Sequence, residues 1–122
     1  MTAPAVINIA EKLGKFSDHW NPRIVSHYNG NEVRVSKLLG EFIWHSHADT
    51  DELFLVLKGT LRIEFRDGVR SIGAGEMIVV PRGVEHRPIA DEECELIVMD
   101  REGESNTGST LSDLTRDRLE EI

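Results

Sequence analysis

A single cysteine, no apolar run of about 18 residues and a deficit of basic side chains set the first limits on this 122-residue chain. Cys94 alone makes no intrachain disulfide and no thiolate zinc cluster, so a metal would have to be held by nitrogen and oxygen ligands. Without a long apolar run there is no membrane-spanning helix. The opening residues, Thr2-Ala3-Pro4-Ala5, lack the basic stretch and apolar core of a signal peptide, so a soluble cytoplasmic protein with no membrane partner is expected. The formal charge of -8 leaves too few Lys and Arg to neutralise a phosphate backbone, which argues against nucleic acid as partner. Arg82 and Arg87 near His86 keep a small anionic ligand open. The acidic clusters (Asp91-Glu92-Glu93 and the acids within 100–104 and 117–121) read as solvated surface. There is no internal repeat and no low-complexity tract.

The length fits one domain with one core. Asn8 to Gly14 reads as a short helix, with Asn8 as N-cap, a carboxylate at the third position and Gly14 at the exit. Arg23 to Tyr28, the turn Asn29-Gly30-Asn31 and Glu32 to Leu39 form a hairpin. Leu53 to Leu57 is apolar at every position, which implies burial on both faces. Thr60 to Arg66 alternates, Asp67-Gly68 turns, and Val69–Ile72, Met77–Val80 and Glu95–Met99 complete the strands. Many short strands at this turn spacing make an all-β sandwich or barrel. In the tail, Leu111, Leu114, Leu119 and Ile122 fall at helical spacing, so a short amphipathic helical segment is expected there. The organisation is one domain in three parts: an N-terminal arm over 1–30, a barrel core over 31–102 and a tail over 103–122.

On a strand, His45 and His47 point to one face, shared with Glu41 and Ile43. After the turn Ala48 to Asp51, Glu52 opens the next strand, and its face continues through Phe54 and Val56. Glu52 thereby approaches the same point, and a third histidine, His86, follows after further strands. The four side chains are read as holding one metal ion. Neutral imidazoles with one carboxylate suit divalent Fe, Mn, Ni, Co, Cu or Zn and are poor ligands for Ca or Mg. His19 and His27 have no partner spacing and read as hydrogen-bonded surface groups. Tyr28 reads as packing and Cys94 as a small, half-buried residue.

Gly40-x4-His45-x-His47-x4-Glu52-x6-Gly59 resembles the first cupin motif, and Gly75-x5-Pro81-x-Gly83-x2-His86 resembles the second. The resemblance covers Gly40 to about Ile89. In general character the chain is similar to small single-domain cupins of the RmlC-like, mannose-6-phosphate isomerase-like kind. It departs twice: four residues rather than five separate Gly40 from His45, and Ala90 stands where the second motif ends in asparagine. Neither position is a ligand, so the local turns are what these departures touch. The resemblance implies a double-stranded β-helix, or jelly-roll barrel, with short terminal helical segments. It also implies His45, His47, Glu52 and His86 as ligands, with coordination positions left open. Ile43, Phe54 and Val56 are expected to line the pocket, with Glu41 as polar contact, and Trp44 to pack outside the barrel or at a partner chain.

Three functional classes compete, of which a purely structural or interaction protein with an inert barrel is disfavoured by the filled ligand set, leaving two. One is a metal-dependent enzyme acting on a small organic molecule, an isomerase, dioxygenase or lyase, with Tyr28, Asp49 or Asp51 as helpers. The other is a metal-bearing binding or sensing module without catalysis. The barrel alone cannot choose a substrate. The apolar strand 53–57 needs outer cover, so a homodimer with twofold symmetry is expected.

Overall fold

Alternating apolar residues set the strands, and turns rich in glycine end them. In the computed structural model, which describes residues 2–122, a helix α1 (Ile9–Leu13) precedes seven strands. These are β1 (Arg23–Tyr28), β2 (Asn31–Glu41), β3 (Glu52–Lys58), β4 (Thr60–Phe65), β5 (Gly68–Gly73), β6 (Met77–Val80) and β7 (His86–Arg101). Every pairing between strands is antiparallel. One path runs β1-β2-β7-β3-β6, while β4 joins both β5 and β7. The chain is thus an all-β jelly-roll barrel, as the turn rhythm implied.

Local chemistry accounts for the ends of the elements. Asn8 Oδ1 accepts from the Glu11 backbone N–H at 3.0 Å, which caps α1, and Gly14 follows the helix. The β1–β2 hairpin turns through Asn29 and Gly30 with φ of 49° and 79°. Two consecutive left-handed residues are what a tight hairpin needs to match strand twist, and Asn-Gly supplies them at least cost.

Strand β7 is the spine, and it is far longer than the expected 95–99. Its sixteen residues pair with β4 at the start, from Phe65↔His86 to Arg62↔Ile89. From Glu95 to Met99 it pairs with β2 on one side and β3 on the other. Pro88 and the acids Asp91-Glu92-Glu93 hide this continuity in the sequence. The three acids are exposed mid-strand, between the two halves of the pairing.

Three further expectations are corrected. Strand β3 is buried on one face only: Phe54 and Val56 are in the core, Leu53 and Leu55 are half-covered, and Leu57 is exposed. Helix α1 borders this outer face only at its end, beside Leu57 and Lys58. Second, the tail carries no helix. It runs as an irregular strap whose polar side chains bond the backbone instead: Asn106 Oδ1 accepts from Arg116 N, Thr115 Oγ1 from Ser112 N and Ser112 Oγ from Leu114 N. Such local bonds compete with a helix too short to nucleate well. Third, His45 and His47 lie beyond the end of β2, in an extended segment rather than a regular strand. His45 is tied to His86 by two backbone hydrogen bonds of 3.1 and 2.9 Å.

Candidate metal centre

Three elements deliver the histidines and the carboxylate: the segment after β2 carries His45 and His47, β3 opens with Glu52 and β7 with His86. The His45–His86 bridge fixes two imidazoles side by side, with ring centroids 4.3 Å apart. Gly83 N donates to His47 O at 2.8 Å, which ties the first histidine segment to the turn before β7. Thr50 Oγ1 accepts from Arg101 N at 3.1 Å, pinning the intervening loop to the far end of β7 and setting Glu52 at the start of β3. The result brings one ligand atom from each of His45, His47, Glu52 and His86 within 4.8 Å of the others, and all four residues are buried.

Each imidazole is oriented by its Nδ1. His45 Nδ1 donates to Ile43 O and His86 Nδ1 to Val84 O, both at 2.9 Å. His47 Nδ1 donates to Glu104 Oε2 at 2.9 Å. A neutral ring carries one proton, so these bonds leave an Nε2 lone pair on each ring. His86 Nε2 and His47 Nε2 face Glu52 Oε1 at 3.1 and 3.3 Å. His47 Nε2 is fully buried and makes no hydrogen bond. A carboxylate oxygen this close to two imidazole Nε2 atoms in a buried space needs a proton or a metal ion between them, and the convergence of four such donors fits a divalent transition metal.

Residues 31–100 match the Cupin_2 family, the cupin domain. The chain is a cupin. It is similar to a cupin-2 domain protein from Shewanella frigidimarina NCIMB 400, at 48% identity and a TM-score of 0.77, covering 79% of this chain and 94% of that one. It is also similar to protein NMB1881 from Neisseria meningitidis, at 33% identity and a TM-score of 0.72, covering 80% and 99%. The uncharacterized protein YdbB of Bacillus subtilis (strain 168) is 38% identical over 80 residues. This cupin spans 65% of the length of that curated relative.

The supports of the histidines lead to opposite electrostatics. Burial pushes the His45 pKa down to about 4, helped by the neighbouring His86. Burial also opposes charge on His47, but the carboxylates of Glu52 and Glu104 outweigh it and raise its pKa. Burial likewise opposes charge on Glu52, yet the two histidines hold its pKa well below the usual carboxylate range.

A polar network under the centre had no signal in the sequence. Arg34, 1% exposed, donates from Nε and Nη2 to Glu32 Oε1 at 3.0 and 2.7 Å. It also reaches Asp100 Oδ2 at 3.3 Å and, through Nη2, Glu104 O at 2.8 Å. Asp100 is 1% exposed, and burial next to the Glu52 carboxylate pushes its pKa up to about 10. Alternation along β2 put Arg34 on the barrel face, but an arginine there reads as surface until its partners, 66 and 70 residues away, are seen.

Beside the centre lies a cavity of about 450 Å3, counting space open to solvent. His45, Glu52 and Phe54 line it, with Trp20, Leu38 and Phe42 among the apolar residues. Of the four residues expected to line the pocket, Phe54 does so, while Val56 is packed into the core below. Ile43 packs half-buried against the core, and Glu41 is exposed at 3.7 Å from Arg87. The physical reason is the irregularity between Leu38 and Gly40, where Gly40 takes φ of 87°. It breaks the alternation and turns Phe42 inward in place of 41 and 43.

Other residues singled out in the sequence lie elsewhere. Tyr28 is 62% exposed at the hairpin, and Asp49 and Asp51 are exposed, with Asp51 accepting from Arg82 N at 2.9 Å. Arg87 pairs with Glu64 at 2.8 Å. His19 and His27 are bonded to carboxylates, His19 to Glu93 at 2.7 Å and His27 to Glu102 and Glu121. Trp44 packs on the surface, beneath the Arg66 guanidinium at 3.8 Å. Cys94 is fully buried rather than half-buried, and burial pushes its thiol up to about 11, so it is inert.

Proposed function

We propose that this cupin holds one divalent transition metal (Fe, Mn, Ni, Co, Cu or Zn) through His45, His47, Glu52 and His86. The adjoining cavity binds and transforms a small organic molecule. The observation that carries this reading is the convergence of four buried ligand atoms with every Nδ1 proton committed elsewhere. Such a metal, when bound, polarises a carbonyl, lowers the pKa of a bound water or activates oxygen. The protein's own part is to hold the imidazoles by their Nδ1 bonds and to exclude water with Trp20, Phe42 and Phe54.

Metal analysis of the purified protein and of His47→Ala tests the centre. About one equivalent is expected in the wild type and a loss of most of it in the variant; equal metal content in both would sink the assignment. Oxygen uptake and product formation with carbonyl acids, phenols and sugar phosphates then test for turnover. A binding or sensing module without catalysis is the second reading. It is favoured by the position of Tyr28, Asp49 and Asp51 outside the cavity, which leaves few groups free for proton transfer. Saturable binding without product from any of the panel selects it.

The proposed partner of the outer sheet face is a second copy of the chain. In register across β2, β7, β3 and β6 lie Val33, Met99, Leu53 and Val79, with Ile97, Leu55 and Met77 in the next row. Met77 and Val79 are 54% and 47% exposed. Contiguous apolar surface of this kind is commonly an interface, and a twofold dimer would cover it on both copies. Sedimentation equilibrium should give twice the chain mass; a monomer across the concentration range would refute the dimer. No helix among the described residues is long and apolar enough to cross a membrane. A cytoplasmic setting accords with the single buried thiol.

A further inference from the structure

The cavity says which molecules suit it. The room it leaves for water-sized molecules is only about 50 Å3, which limits the body to a single small ring or a short chain. Trp20, Phe42, Phe54, Leu38 and Val98 supply an apolar wall. Two of these are stacked, with the Trp20 and Phe42 rings 4.7 Å apart and 21° from parallel.

Trp20 is placed at a cost. Its φ is 56°, in the left-handed region that a bulky side chain avoids. The conformation persists because Trp20 N donates to Lys37 O at 3.0 Å and Nε1 to Leu39 O at 2.8 Å. Strain held by two bonds to one strand positions an indole, and here it positions it over the cavity.

The polar lining is uneven in what it leaves free. Ser36 lines the cavity, and its buried Oγ has no hydrogen-bond partner. Buried polar atoms left in this state are costly unless a ligand or water satisfies them. Arg34, the only Lys or Arg in the lining, is already engaged by Glu32, Asp100 and the Glu104 carbonyl. No side-chain cation in the lining is therefore left free for a phosphate.

We infer that the ligand of this cupin has an apolar body, a single ring or short chain, and one hydroxyl or carbonyl group, and that a molecule carrying a phosphate or a polyhydroxylated body is rejected. That the cavity adjoins a metal at His45 and Glu52 rests on the metal-centre reading; the apolar wall and the engaged Arg34 do not.

Calorimetric titration of the metal-reconstituted protein with phenol, glucose and glycerol 1-phosphate tests this. Phenol should bind at least about tenfold tighter than either of the others, because only it buries its body against the wall. Glucose or glycerol phosphate binding as tightly as phenol would overturn the inference. In Ser36→Ala, phenol should bind about threefold to tenfold more weakly while the thermal midpoint of the free protein does not fall, since the substitution removes an unsatisfied buried hydroxyl. Unchanged phenol affinity in that variant would overturn the placement of the ligand in this cavity. Metal content measured on the same samples separates the two readings. Absence of metal defeats the metal centre, and the ranking of the three probes still decides the ligand class.

Discussion

His45 and His86 are oriented by the chain next to them, and His47 is oriented by a carboxylate from the far end of the sequence. The first two donate to carbonyls two residues back, at Ile43 and Val84. The third donates to Glu104, 57 residues on, whose own carbonyl is held by Arg34. Backbone carbonyls survive almost any side-chain substitution. The Glu104 support depends on several side chains at once, so one ligand of the centre is adjustable and two are built in.

Removing the anchor of the adjustable side should have the largest effect. Arg34→Met leaves Glu32 and Asp100 buried without their partner and frees Glu104, and it should cost about 3–5 kcal/mol in urea unfolding. A loss under about 1 kcal/mol would mean that the network is not a support.

The opposite pKa directions of the two histidines give the next test. His45 has a folded pKa of about 4 against an ordinary 6.5, so the fold favours its neutral form. Its contribution is therefore complete above pH 6.5 and is lost as pH falls toward 4. His47, with a raised pKa, contributes with the opposite sign. In metal-free protein, the stability difference between wild type and His45→Gln should shrink by up to roughly 3 kcal/mol between pH 7 and pH 4. Parallel curves would refute the contrast.

The smallest effect falls on the metal itself. Glu104→Ala should weaken metal binding about 10- to 100-fold, the usual range for losing a residue that orients a ligand. Ile43→Val, which keeps the accepting carbonyl, should leave it unchanged. Competition with a chromogenic chelator measures both, and equal affinities in the two variants would erase the distinction drawn here.

The same contrast explains what could be read in advance. The histidines, Glu52 and the hairpin at Asn29-Gly30 follow from short spacings and turn chemistry, which are local. Glu104, Arg34 and Asp100 act through partners dozens of residues away, and each alone looks like another surface charge in an acidic chain. Phe42 was hidden by the same kind of limit. Perfect alternation from 41 to 47 predicts Ile43 inward, but with the irregularity at Gly40 and the end of β2 at Glu41, Phe42 is buried as well as His45 and His47. The tail misled for a different reason, since its leucines do recur at helical spacing. Asn106, Ser112 and Thr115 bond the backbone that a helix would have used, and Leu111 is left 87% exposed.

Gly108 shows how tightly that tail is fitted. A Cβ at this position would stand 2.0 Å from Ser46 O, and φ is 58°.

Strand β7 carries His86 at its first position and Asp100 near its last, and it is the only strand that pairs with β2, β3 and β4. It is also the last of the seven strands in chain order. Contacts such as Arg34 to Asp100 span 66 residues, so closing them carries a large loop-entropy cost before any pairing energy is returned. The nascent chain therefore waits with β2 and β3 unjoined, and their apolar edges unpaired, until β7 arrives between them. Joining β2 to β3 thus waits on one strand, and the histidine cluster is completed in that same step.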